Sequence, residues 1–296
     1  KTKPAQNALN ELRGFGIVPD CVVVRTDDPA PAGVAAKIAQ FSGVAEDAVV
    51  MLHNAKTVFK IPIIIAESSI NDVLTKFTGN DTVPNLRKWE DIMLAQSTVR
   101  DRDVTVGLVA KYMDNEDTYI SVLEALKSAA WHEEVNLNIK WLNAETASDT
   151  EFDTVDALLV PGGFGERGIS GKIAAADYAL RTGKPYLGLC LGLQVAVIAA
   201  ARRSGLEDAH SNEFDGGTPH NVVYIMAGQE GKESTGGTLR LGDYDAVLEE
   251  GSKVAEAYGA TEVVERHRHR YEVNQAFTEA IEKGGLVISG TSPDGK

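Results

Sequence analysis

Pro185-Tyr186-Leu187-Gly188-Leu189-Cys190-Leu191-Gly192-Leu193-Gln194 is the stretch that decides the fold. A short apolar run ends in Gly-x-Cys-x-Gly. The apolar run Leu191 to Ala201 then reads as a helix. Strand, tight turn and helix are the layout of a nucleophile elbow. The glycines suit a sharp turn whose flanking backbone comes close to other atoms. Cys190 then stands over the positive end of the following helix, a place that favours the thiolate. Arg202 and Arg203 close the helix where cations suit its negative end. Taken alone, the motif fits a small buried hydrophobe as well as a reactive thiol.

A second turn adds weight to the reactive reading. Leu158-Leu159-Val160-Pro161-Gly162-Gly163-Phe164-Gly165 is another buried strand running into glycines. On its own it reads as an ordinary strand-to-helix turn. Its free backbone N–H groups are also the parts of an oxyanion hole. In this order and spacing the two elements resemble the class I glutamine amidotransferases. There a cysteine attacks the side-chain amide of glutamine and releases ammonia.

The 296 residues suffice for two domains. No apolar run approaches the roughly 18 residues of a membrane span. The longest candidate, Ile61 to Ala66, reads as a buried strand or short core segment. Lys1 to Asn10 is polar and unlike a signal peptide. Two distant cysteines, Cys21 and Cys190, give no disulfide framework, so a reducing, cytoplasmic setting is expected. The formal net charge of −14 argues against binding nucleic acid through a basic face. It leaves room for nucleotides, which a few local cations and helix N-termini can hold. The first methionine is Met51, and the chain stops shortly after the strand-like run Leu286 to Ser289. Both features lead to the expectation of a piece of a longer protein.

Residues 1–76 read as mixed α/β: a helix from Pro4 to Leu12, a strand from Cys21 to Arg25, and a helix from Ala30 to Phe41 with Pro31 in its first turn. Short apolar runs follow at Ala48 to Leu52 and Ile61 to Ile65. Residues 77–103 read as a linker holding a short helix from Leu86 to Ala95. Residues 104–296 alternate strands and helices. The strands are Val104 to Ala110, Leu137 to Leu142, Ala157 to Val160 and Tyr186 to Cys190. A helix from Thr118 to Glu134 shows one apolar face with Tyr119, Val122, Leu123, Leu126 and Ala130. Another runs from Ile169 to Leu180. This pattern predicts an α/β, doubly wound, mainly parallel sheet, with the site at the carboxyl ends of its strands.

Three further segments narrow the resemblance: Lys1-Thr2-Lys3-Pro4-Ala5-Gln6, Gly236-Gly237-Thr238-Leu239-Arg240-Leu241-Gly242, and Glu265-Arg266-His267-Arg268-His269-Arg270-Tyr271-Glu272-Val273-Asn274. With the two glycine turns they resemble the CTP synthase family over essentially the whole chain. That family makes CTP from UTP, ATP and glutamine. The resemblance implies a flavodoxin-like glutaminase domain over 104–296, preceded over 1–76 by the end of a P-loop-type α/β amidoligase domain.

By that resemblance Cys190 is the nucleophile, and Gly163 the oxyanion and glutamine contact. Leu191, Gly192, Leu193 and Gln194 bind glutamine, and Glu213 and Arg270 grip its ammonium and carboxylate. Lys1, Thr2, Lys3, Pro4, Ala5, Gln6 and Lys37 fall at the site of UTP and of the inhibitor CTP. His53, Asn54 and Ala55 fall at the adenine of ATP, where their side-chain types depart from the family's and leave a backbone contact. Without the resemblance, Glu213 reads as a solvated loop charge and Lys1–Gln6 as a basic stub. His267 and His269 alternate with arginines and share one face, and neither matches the family's base. The resemblance further implies Mg2+ with ATP, GTP as an allosteric activator and a homotetramer.

The chain also departs from the family. It contains no Gly-x-x-x-x-Gly-Lys-Ser/Thr and no His-Pro-Glu segment, and its last histidine is His269. These departures lead to the expectation that residues 1–296 by themselves do not turn over glutamine. Gln229 to Thr235 is shorter than the family's lid loop, which bears on activation by GTP. The alternatives are another class I amidotransferase, a γ-glutamyl hydrolase, or a regulatory protein that keeps the fold without the chemistry.

Overall fold

The computed structural model describes residues 2–225 and 240–295. The chain divides into two compact units, Lys1–Val99 and Arg100–Lys296. Their boundary lies inside the expected linker.

The first unit begins with α1 (Lys3–Gly14), which has Pro4 in its first turn. A missing N–H costs nothing there. Strands β1 (Val22–Thr26) and β2 (Val49–His53) pair in parallel, Val22 opposite Val49 and Thr26 opposite His53. Helix α2 (Val34–Ser42) connects them. Leu9, Ile38, Ala39 and Val49 form the small core.

Helix α2 starts later than the expected Ala30, because Gly33 takes a left-handed conformation at its N-cap (φ 82°) and Pro31 sits in the preceding turn. Ile61–Ala66 is not a strand but the short helix α3. Pro62 in its first turn sets a helical φ and needs no partner for an N–H, so backbone geometry overrides the β-branched run. Helices α4 (Ile70–Thr78) and α5 (Arg87–Ser97) complete the unit.

The second unit opens with β3 (Asp103–Ala110), followed by α6 (Ile120–His132) and β4 (Asn136–Asn143). The short α7 (Asp149–Asp153) leads to β5 (Ala157–Val160) and α8 (Ile169–Thr182). Strand β6 (Tyr186–Gly188) then runs into α9 (Leu191–Arg203). The four strands form one parallel sheet in the order β4-β3-β5-β6.

Side chains alternate across this sheet. Val109, Leu158 and Val160 pack on one face with Val195, Ile198 and Ile173 of α9 and α8. Leu108, Ala110 and Leu159 pack on the other with Tyr119 and Leu123. Both faces are covered, as the continuous apolar strands require. Each fully buried aliphatic side chain contributes about 1.5–3 kcal/mol relative to exposure.

Beyond α9 the chain turns to smaller sheets, antiparallel except for the first pair. Strands β7 (His210–Ser211) and β8 (Asn221–Ile225) come first and run parallel. β9 (Arg240–Leu248), α10 (Lys253–Tyr258) and β10 (Glu262–His269) follow. β11 (Tyr271–Val273), α11 (Thr278–Lys283) and β12 (Gly290–Thr291) close the chain. β11 pairs with β8, and β9 lies between β10 and β12. Leu286 to Ser289 is not a strand; the Ser289 carbonyl instead accepts one bond from the Glu249 N–H, and pairing begins only at Gly290.

Candidate active site

The carboxyl ends of β3, β5 and β6 meet at one edge of the parallel sheet, and three turns leave from there. The sharpest is at Cys190, the N-cap of α9, with φ 53° and ψ −106°. That left-handed backbone is uncommon for a residue with a side chain and stores strain. It is held by close packing on either side. A Cβ on Gly188 would sit 2.6 Å from the Leu193 nitrogen, and one on Gly192 would overlap the Val160 carbonyl oxygen. Both glycines of Gly-x-Cys-x-Gly are therefore fixed by contact. Tyr186 adds a brace, its hydroxyl donating to the Gly192 carbonyl at 2.7 Å.

The Gly162–Gly165 turn lies against this elbow. The position a Cβ would take on Gly162 is 3.4 Å from Cys190 Cβ, and that on Gly163 is 3.5 Å from Leu191 Cδ2. Among the described residues the Gly163 N–H has no hydrogen-bond acceptor. The Leu191 N–H faces the Cys190 sulfur and favours its charged form. Lys111, just past β3, donates from Nζ to the Phe164 carbonyl at 2.8 Å and so ties the turn down. Lys172 of α8 is 1% exposed and brings its ammonium beneath Gly163. The sequence reading missed both lysines. A glycine-rich turn calls for something to fix it, but nothing local says which side chain does so.

Cys190 as a residue is exposed, yet its sulfur is hemmed in by the elbow and the turn. Burial pushes the thiol above its ordinary pKa, and the Glu213 charge pushes the same way. The Leu191 N–H and Lys172 oppose them. The expectation that the helix N-terminus leaves the thiol poised as thiolate is thus corrected: that effect is present, and desolvation outweighs it. The thiol donates to the Arg268 carbonyl of β10 at 3.7 Å.

Glu213, after β7, accepts the Gly165 N–H at 3.2 Å. Burial raises its pKa, while Gly165, Arg270 and Lys111 pull it down. It is therefore no solvated loop charge. Arg270 sits between β10 and β11, half-buried and within electrostatic reach of Glu213. The structure thus brings Cys190, Gly163, Leu191, Gly192, Glu213 and Arg270 together.

Leu193 and Gln194, which follow Cys190 in the first turn of α9, differ in placement. Leu193 points its side chain outward, 50% exposed. Gln194 is buried and donates from Nε2 to the Tyr271 carbonyl at 3.2 Å, bracing the corner that carries Arg270. His267 and His269 do share a face of β10. Their rings bond to each other at 2.8 Å, and His269 Nδ1 bonds to the Tyr271 carbonyl at 2.9 Å. Burial lowers both imidazoles.

In the first unit, Thr2 is the N-cap of α1 and its hydroxyl accepts from Gln6 Nε2 at 3.0 Å. Lys3, Pro4 and Lys37 are exposed, and Ala5 packs on the small core. His53, Asn54 and Ala55 follow the carboxyl end of β2. The Asn54 side chain bonds to Arg25 and Asp27, both at 3.1 Å, and its backbone N–H donates to the Thr26 carbonyl at 2.9 Å. Lys1, Gln229 to Thr235 and Gly236 to Leu239 lie outside the described residues.

Residues 115–296 match the family described as glutamine amidotransferase class-I, and residues 1–78 match the CTP synthase N-terminus. A CTP synthase of Methanothermobacter thermautotrophicus is 43% identical over 99% of this chain and 56% of its own length. One of Thermomicrobium roseum is 45% identical over 100% of this chain and 54% of its own. The chain spans about half the length of the curated relatives it matches. A solved structure, the glutaminase domain of Trypanosoma brucei CTPS with bound acivicin, superposes with a TM-score of 0.59. It is 39% identical, over 64% of this chain and 75% of that one. With its elbow, its facing glycine turn and these matches, the chain belongs to the class-I glutamine amidotransferase family, and its likeness along its whole length is to CTP synthases.

Proposed function

We propose that the chain is the central and glutaminase portion of an enzyme that aminates UTP to CTP with ATP, taking ammonia from glutamine. The observation that carries this is the strained Cys190 elbow facing the Gly162–Gly163 turn, with Glu213 and Arg270 at its rim. Glutamine is a zwitterion on an amide stem, so one anion and one forked cation can fix it. Glu213 takes its ammonium and Arg270 its carboxylate. The first turn of α9, Leu191 to Gln194, walls the stem.

The Cys190 sulfur, as thiolate, adds to the amide carbon. Negative charge moves to the amide oxygen, which the Gly163 and Leu191 N–H groups receive. Collapse breaks the C–N bond; with a proton delivered to nitrogen, ammonia leaves and a thioester remains. Water then adds to the thioester and expels the thiolate, giving glutamate. His269 does not serve as the base for these proton transfers, since its two ring nitrogens are committed to His267 and to the Tyr271 carbonyl.

In the same proposal the start of α1, with Lys1, Thr2, Lys3, Pro4, Ala5 and Gln6, and Lys37 on α2 anchor the triphosphate of UTP and of the inhibitor CTP. His53 to Ala55 approach adenine through backbone. In this proposal Mg2+ enters as the companion of ATP. A homotetramer, a cytoplasmic setting and activation by GTP extend the proposal by likeness to the family. The match of residues 1–78 to the CTP synthase N-terminus tells against a γ-glutamyl hydrolase.

The test is Cys190→Ala in the full-length protein. Glutamine-dependent CTP formation should fall to background while ammonia-dependent formation continues, because ammonia bypasses the thioester. Glutamine hydrolysis at the parent rate by the alanine variant would remove Cys190 from the role.

A further inference from the structure

Lys172 is 1% exposed, yet it ends in an ammonium. Its Nζ lies 3.6 Å from the place a Cβ on Gly163 would occupy. Among the described residues it forms no ion pair and no hydrogen bond. The charges that act on it are Lys111, which repels it, and Cys190, which as a thiolate attracts it. Burying an ammonium without a carboxylate is unfavourable, and a methionine would fill the same space without that cost. The charge therefore needs a counterpart, and the turn above it is where negative charge arises in the chemistry proposed for Cys190.

We infer that Lys172 is a positioning residue for the nucleophile: its ammonium, held under the Gly162–Gly163 turn, stabilises negative charge on the Cys190 sulfur and on the oxygen that the Gly163 N–H receives. The inference rests on the glutaminase reading of Cys190. It explains how a thiol raised by burial and by Glu213 still reaches the thiolate. Burial, with Lys111 second, lowers Lys172 to about 8, so it keeps most of its charge near neutral pH. The charged groups around the pair are Lys111 from the end of β3, Glu213 after β7 and Arg270 between β10 and β11. Glu213 and Lys172 act on the sulfur with opposite sign.

The experiment is alkylation of the purified 296-residue chain by iodoacetamide across a pH series, with peptide mass mapping to separate Cys190 from Cys21. In Lys172→Met the Cys190 rate near neutral pH, where Lys172 carries its charge, should fall about tenfold, a shift of the profile's acid limb by about one pH unit that fades once the pH passes the Lys172 value of about 8. The melting temperature should hold or rise, since an unpaired buried charge is removed. A residue that only fills space would leave the pH profile unchanged, since methionine fills the same volume. Lys172→Gln, polar and neutral, should repeat the shift, and Lys172→Arg should restore the parent profile. A superimposable profile in both neutral variants overturns the inference. Iodoacetamide needs no bound glutamine, so this readout survives failure of the glutaminase reading. That failure appears separately, as a Cys190 that reacts with iodoacetamide but not with a glutamine-like electrophile.

Discussion

Gly192→Ala tests the packing that shapes the elbow. Gly192 is buried in the first turn of α9. An added Cβ would overlap the Val160 carbonyl oxygen and lie 2.9 Å from its carbon and 3.2 Å from Val160 Cβ. Two of these are backbone atoms of β5, whose carbonyl already accepts the Leu189 N–H at 3.0 Å. No rotamer change relieves such a clash; α9 or the strand end must move. Overpacking costs typically about 1–3 kcal/mol, and a backbone contact belongs at the upper end. Alanine returns about 1 kcal/mol through helix propensity. The net is a loss of about 2 kcal/mol, or roughly 4–8 °C in melting temperature for a unit of this size. Displacing α9 also shifts Cys190, so alkylation at that thiol should change in the same variant. Gly14→Ala is the control, since nothing lies within 4 Å of its added Cβ. Thermal melts of both proteins, with mass mapping of Cys190, decide the matter. A Gly192→Ala protein that melts with the parent and alkylates at the parent rate would refute the reasoning.

Glu213→Gln should lower the pH midpoint of Cys190 alkylation by about half a pH unit, about threefold in rate below it, because the anion that raises the thiol is gone. Burial raises Glu213, so its contribution to stability is present when it is protonated and is lost as pH rises through its folded pKa. Glu213→Gln should therefore melt no lower than the parent at neutral pH, and a clear drop would assign the residue a different role. His220→Gln probes acid stability. His220 Nδ1 bonds Asp208 at 2.6 Å and holds that carboxyl below its ordinary value of 3.8. The stability this supplies is present above the ordinary value and lost as pH falls through the folded one. The variant should show a flatter acid limb in melting temperature against pH; identical limbs would mean that the pair is inert.

Sequence legibility differed from element to element for physical reasons. The elbow was legible because its constraint is local: two glycines and a cysteine sit side by side at the head of an apolar helix. The sheet was legible because Val106 to Ala110 and Ala157 to Val160 are covered on both faces and so carry no polar side chain. Helix α3 was not, since Ile61 to Ile65 carries a β-branched composition and only Pro62 hints at the outcome. The start of α2 was missed because Gly33 places its left-handed cap three residues inside the expected helix.

The sequence by itself determined the Cys190 elbow, the facing glycine turn, the parallel alternation that puts both at one sheet edge, and the family. Those rest on spacing along the chain. The tertiary structure alone decided the charge environment. Lys111 reaches the Phe164 carbonyl across 53 positions, and Gln194 reaches the Tyr271 carbonyl across 77. Nothing in the sequence marks Lys172 out, and it becomes a buried ammonium only because α8 packs beneath the turn. The thiol, expected to be lowered by its helix, is raised, because desolvation depends on everything that surrounds the sulfur. Periodicity fixes which residues face a core, while the sign of a pKa shift depends on groups that only folding brings together.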